Sequence, residues 1–88
     1  MLPLFGRDLL VVTDESVQDD GADWPKLVWL LDARDEKNPV SISTLPVTGV
    51  KPLLRAGGRC GAHNVHENPP VKGAWRSEDY VLGTFFNA

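Results

Sequence analysis

A chain of 88 residues is one domain at most, and at this length it buries only about 60–65% of the surface its unfolded form exposes, so its core is small. Hydrophobic content of 42% and charged content of 24% are ordinary for a globular protein and argue against disorder along the whole chain. The net charge of −3 is unevenly divided: residues 1–44 carry four basic and nine acidic side chains, net −5, and residues 45–88 carry five and three, net +2. That acidic excess speaks against nucleic acid as a partner, because binding to phosphate needs a basic surface.

Cys60 is the single cysteine and has no partner for an internal disulfide, which fits a reducing compartment. Arg7 and Asp8 interrupt the apolar run Met1 to Phe5 before it reaches the length of a secretory signal. Leu27 to Leu31, the longest apolar run, is far too short to span a bilayer. The expectation is a cytoplasmic protein with no membrane contact.

Seven prolines and eight glycines leave few uninterrupted windows, so helix is scarce. Asp8 to Thr13 is short, apolar and β-branched, and predicts the first strand. Asp14 to Asp23 is acidic and reads as a loop or a short helical turn. Lys26 to Ala33 predicts a second strand. Leu27, Trp29 and Leu31 point one way and Val28 and Leu30 the other, so both faces are apolar and the strand is expected between two layers. Asp35 to Pro39 is a polar turn that predicts a hairpin. Val40 to Val47 alternates, with Val40, Ile42 and Thr44 opposite Ser41, Ser43 and Leu45, and predicts a strand with one solvated face that ends at Pro46. Gly49 to Gly61 has no period. A weaker strand lies at Ala62 to Glu67, the stretch Asn68 to Gly73 is a loop, and Tyr80 to Phe86 is the last strand. The fold expected is mainly β, with four to five short antiparallel strands in a single small domain spanning residues 1–88.

Several residues invite chemistry. His63, Asn64, His66 and Glu67 lie within five positions and combine metal ligands with acid–base groups. On a regular strand His63 shares a face with Val65 and Glu67, and His66 shares one with Asn64, so a divalent metal on His63, His66 and Glu67 requires the segment to bend. The spacing is not the His-Glu-x-x-His zinc pattern. Cys60 with His63 has the residue types of a nucleophile and its base, with Arg59 as a nearby positive charge. Asp14, Glu15, Asp19, Asp20 and Asp23 are acidic enough for calcium but lack the ligand spacing of an EF-hand loop. Gly57 to Gly61 lacks the lysine–hydroxyl pair of a phosphate loop and reads as a connector. Trp24, Trp29, Trp75, Tyr80, Phe85 and Phe86 suit a core or an interface better than a stacking platform.

The stretch K-L-V-W-L-L-D-A-R-D-E-K-N-P-V-S-I-S-T at Lys26 to Thr44 resembles the LVIVD-type repeat of β-propeller proteins, in which a strand ending in aspartate is followed by a polar turn, Asn-Pro, and another strand. Here these elements are Asp32, Asn38 and Pro39. G-A-H-N-V-H-E-N-P-P at Gly61 to Pro70, followed by Y-V-L-G-T-F-F-N-A at Tyr80 to Ala88, resembles the start of the next repeat. The resemblance implies the end of one repeat over residues 8–47 and the start of the next over residues 61–88. A propeller needs several blades of four strands, and one repeat cannot bury its own faces. A partial propeller completed by homo-oligomerisation is therefore expected, with Val28, Trp29 and Phe85 as interface candidates. The functional expectation is a non-enzymatic binding or assembly module with an unknown small-molecule ligand and no cofactor. The alternative is a hydrolase or metal-dependent enzyme using His63, His66 and Glu67 at a subunit interface.

Overall fold

The computed structural model describes residues 1–45 and 57–86. Six strands follow one another within them: β1 (Leu2–Leu4), β2 (Leu9–Thr13), β3 (Val28–Asp32), β4 (Val40–Leu45), β5 (Gly61–Val65) and β6 (Gly83–Phe86). Strands β1 to β4 form an antiparallel sheet in sequence order, and β5 and β6 form a separate antiparallel pair. The mainly β class expected from the sequence is what the chain adopts. Helix among the described residues is limited to two single 3-10 turns, Phe5–Arg7 and Asp19–Gly21.

Alternation places one residue set of each strand on a shared face. Leu2 and Leu4, Val11, and Val28 meet there, and Ala62 and Val65 of β5 close over them. Leu9, Leu30 and Phe85 pack around this core. The opposite face follows from the register: Pro3 lies against Leu10, Leu10 against Leu31, and Val12 against Trp29. Leu10, Val12, Trp29 and Leu31 are only half-buried.

Strand β3 therefore differs from the expectation of two covering layers. Its Val28 face is buried at 5% exposure, but the second sheet lies on that side alone, and Trp29 and Leu31 on the other face stay half-exposed. Strands β2 and β4 flank β3, so the edges of this sheet are β1 and β4. On β4 both faces are solvated: Val40, Ile42 and Leu45 are each more than half exposed. A register shift opposite Leu30 and Leu31 leaves Ile42 without a cross-strand partner, which breaks the alternation expected of this strand. Pro46 and Val47 lie outside the described residues. The Asp35–Pro39 turn joins β3 to β4 as expected, with the Asn38 N–H donating to Asp35 O at 3.0 Å and the Lys37 N–H to Asp35 Oδ1 at 3.0 Å.

Backbone hydrogen bonds tie strand β5 to the segment between β2 and β3. The Ser16 N–H donates to Ala62 O at 3.0 Å, and the Ala62 N–H to Lys26 O at 3.4 Å. Gly61 has φ 142, and a Cβ there would stand 2.7 Å from Lys26 Cβ. Only glycine permits both that conformation and that approach. Strand β6 starts at Gly83 instead of Tyr80. The reason is local: Ser77 Oγ accepts the Asp79 and Tyr80 N–H groups at 3.1 and 3.0 Å, which holds the chain in a turn before it can pair.

Candidate functional site

The four residues singled out in the sequence sit on β5 and just beyond it. The strand is not regular there. Ala62 pairs with Phe85 and Val65 with Gly83, so three steps on β5 oppose two on β6. This bulge turns Ala62 and Val65, three residues apart, to the same buried face. The assignment of His63 to the face of Val65 therefore does not hold.

His63 lies on the outer side with Phe86, its ring centroid 4.4 Å from that of Phe86. The Arg59 guanidinium stands 5.3 Å from the Phe86 centroid. His63 Nδ1 and Glu15 Oε1 are 2.9 Å apart, and Asn64 Nδ2 and His63 Nε2 are 3.2 Å apart. A carboxylate only accepts, so Nδ1 carries a hydrogen; in the neutral ring Nε2 then accepts from Asn64. His63 is thus held at both nitrogens.

His66 is held elsewhere. Its Nε2–H donates to Trp75 O at 2.8 Å, and its ring packs 5.5 Å from the Trp75 ring. Glu67 Oε1 stands 3.7 Å from the Met1 α-amino group. Asn64, His66 and Glu67 line one open depression of about 410 Å³, with Val65 and Pro69 completing it. The structure brings these three side chains to one place. It does not assemble His63, His66 and Glu67 as a metal centre: no group of three or more His, Cys, Asp or Glu side chains is placed to hold an ion among the described residues. Cys60, offered as a nucleophile, is completely buried.

The loop that rims His63 explains the acidic run. Asp23 accepts the Val17 N–H at 2.8 Å, the Gln18 N–H at 3.2 Å and the hydroxyl of buried Ser16 at 3.1 Å. The Val17 N–H, aided by those other two donors against the opposing effect of desolvation, holds the Asp23 carboxyl below its usual range. Asp14 takes the Lys26 ammonium at 2.9 Å, and this bond raises the Lys26 pKa. Three of the five acids therefore have protein partners in place of calcium: Asp14, Glu15 and Asp23.

Of the interface candidates, Val28 lies in the chain's own core and Phe85 packs against it, so intrachain packing occupies both. Trp29 lies on the opposite face, partly buried and covered by no second sheet among the described residues. Sequence reasoning did not single out Glu15 as a partner of His63, because 48 residues separate them and no local pattern links them. Among the described residues no helix is long and apolar enough to cross a membrane. No family model matches the chain, and no curated protein and no solved structure matches it.

Proposed function

We propose that this chain is a non-enzymatic β-repeat module of the propeller type, resembling an LVIVD repeat, that assembles with further copies of itself in the cytoplasm. The observation that supports this reading is the incompletely buried apolar face of the first sheet, where Leu10, Val12, Trp29 and Leu31 line up across β2 and β3. A propeller blade is four antiparallel strands, and β1 to β4 follow one another in that order. Strands β5 and β6 then begin a second sheet stacked on one side of the first, as a following blade would. The opposite side has the same apolar character and no layer over it among the described residues. A second copy is the occupant that fits it, because an uncharged surface of this kind opposes no like charges when two copies meet.

Light scattering on the purified chain tests this. The expected result is a stable oligomer at micromolar concentration, which Trp29→Ser shifts toward monomer. A monomeric wild-type chain under those conditions overturns the proposal. An enzymatic reading through His63, His66 and Glu67 has less support, since Glu15, Trp75 and Met1 each engage one of them separately.

A further inference from the structure

The depression along β5 is lined by three residues whose side chains each carry an accepting atom. Asn64 donates through Nδ2 to His63, so Oδ1 is its accepting atom. His66 donates through Nε2 to Trp75 O, so the neutral ring accepts at Nδ1. Glu67 contributes a carboxylate, more than two-thirds exposed. Trp75 flanks His66 and is 46% exposed.

We propose that this depression binds an alkylammonium group, as carried by a free primary amine or a lysine side chain. An ammonium has three donors and no acceptor, which complements three accepting side chains. The carboxylate supplies the opposite charge, and the exposed indole beside His66 offers the aromatic surface that cations favour. The Met1 α-amino group, 3.7 Å from Glu67 Oε1, shows that an ammonium can stand against this carboxylate. An anion would be repelled by the Glu67 carboxylate here. A divalent metal would find one imidazole and one carboxylate, short of a protein ligand set. The site is formed within one chain, so it stands or falls separately from the assembly reading.

Titration of the full chain with n-butylammonium chloride, followed by NMR at the Trp75 indole N–H and the Asn64 side-chain amide, tests the proposal. Sodium chloride at equal ionic strength is the control, and the amide of Nα-acetyl-lysine is the second probe. The expected result is saturable shifts with either organic cation and none with sodium. Tighter binding of the lysine derivative assigns the natural source to a peptide chain, and tighter binding of n-butylammonium assigns it to a small amine. Glu67→Gln should weaken binding about tenfold, the usual scale of one lost charge-assisted hydrogen bond. Asp35→Asn, an exposed acid on the distant hairpin turn, should leave it unchanged. Shifts that merely follow ionic strength, or unaltered affinity in Glu67→Gln, overturn the proposal. Saturation by zinc chloride in the absence of any response to n-butylammonium also overturns it, in favour of a metal.

Discussion

Glu15 and His63 stand 2.9 Å apart across 48 residues of sequence, and their hydrogen bond ties the loop after β2 to the outer side of β5. Both side chains keep more than a third of their surface in water, so solvent screens the pair. Glu15→Ala should therefore cost under about 1 kcal/mol in urea unfolding. The local effect should be larger than the global one. Amide hydrogen exchange at residues 15–18 should rise in this variant, while that of β2 and β3 stays unchanged.

Ser16 and Asp23 set a pH dependence. The folded chain holds Asp23 below its ordinary pKa, so its contribution is complete above the unfolded value and fades as pH falls through the folded one. Thermal unfolding followed from neutral pH downward should show stability falling in the acid range below the usual carboxylate pKa. Asp23→Asn should lower stability at pH 7 and flatten that fall. Ser16→Ala, which removes a buried hydroxyl's hydrogen bond, should cost about 1 kcal/mol at pH 7.

Gly61 permits the contact between the two sheets. Gly61→Ala places a methyl group against Lys26 Cβ in a backbone conformation that side chains disfavour. A loss of about 1–3 kcal/mol is expected, measured by denaturant unfolding. Gly73→Ala is the useful comparison: φ there is also positive, but nothing stands within 4 Å of the added carbon. It should show the conformational penalty without the clash.

Leu2 tests the strand that pattern reading passed over. It is 1% exposed and sits at the centre of the core cluster. Leu2→Ala should cost about 2–5 kcal/mol. That is a large share of the stability of a small domain, and circular dichroism at 37 °C should show a measurable unfolded fraction.

Strands β2, β3 and β4 were legible because each is a run of apolar and β-branched residues bounded by turn formers. β1 was not, because Leu2-Pro3-Leu4 is too short to show a period and contains a proline. Its place at the sheet edge explains both: Pro3 lacks the N–H that an inner strand needs. For β3, the doubly apolar pattern was read correctly as residues but not as layers, since composition cannot say how many sheets a strand meets. The candidate site was legible in part. Asn64, His66 and Glu67 share a depression as their closeness in sequence suggested. The partners that orient His63 and His66, Glu15 and Trp75, come from loops whose positions only long-range packing sets.

The bulge in β5 has a consequence for how this segment tolerates change. One extra residue between Ala62 and Val65 shifts the phase of the strand, so small side chains face inward on both sides of it while polar groups remain at the surface. Deleting Asn64 would restore a strict two-residue rhythm. Ala62 and Val65 would then stand two residues apart and still face inward, so the core face survives the deletion. The extra residue therefore serves the surface: it adds the Asn64 amide beside His63 without changing which side chains the core receives.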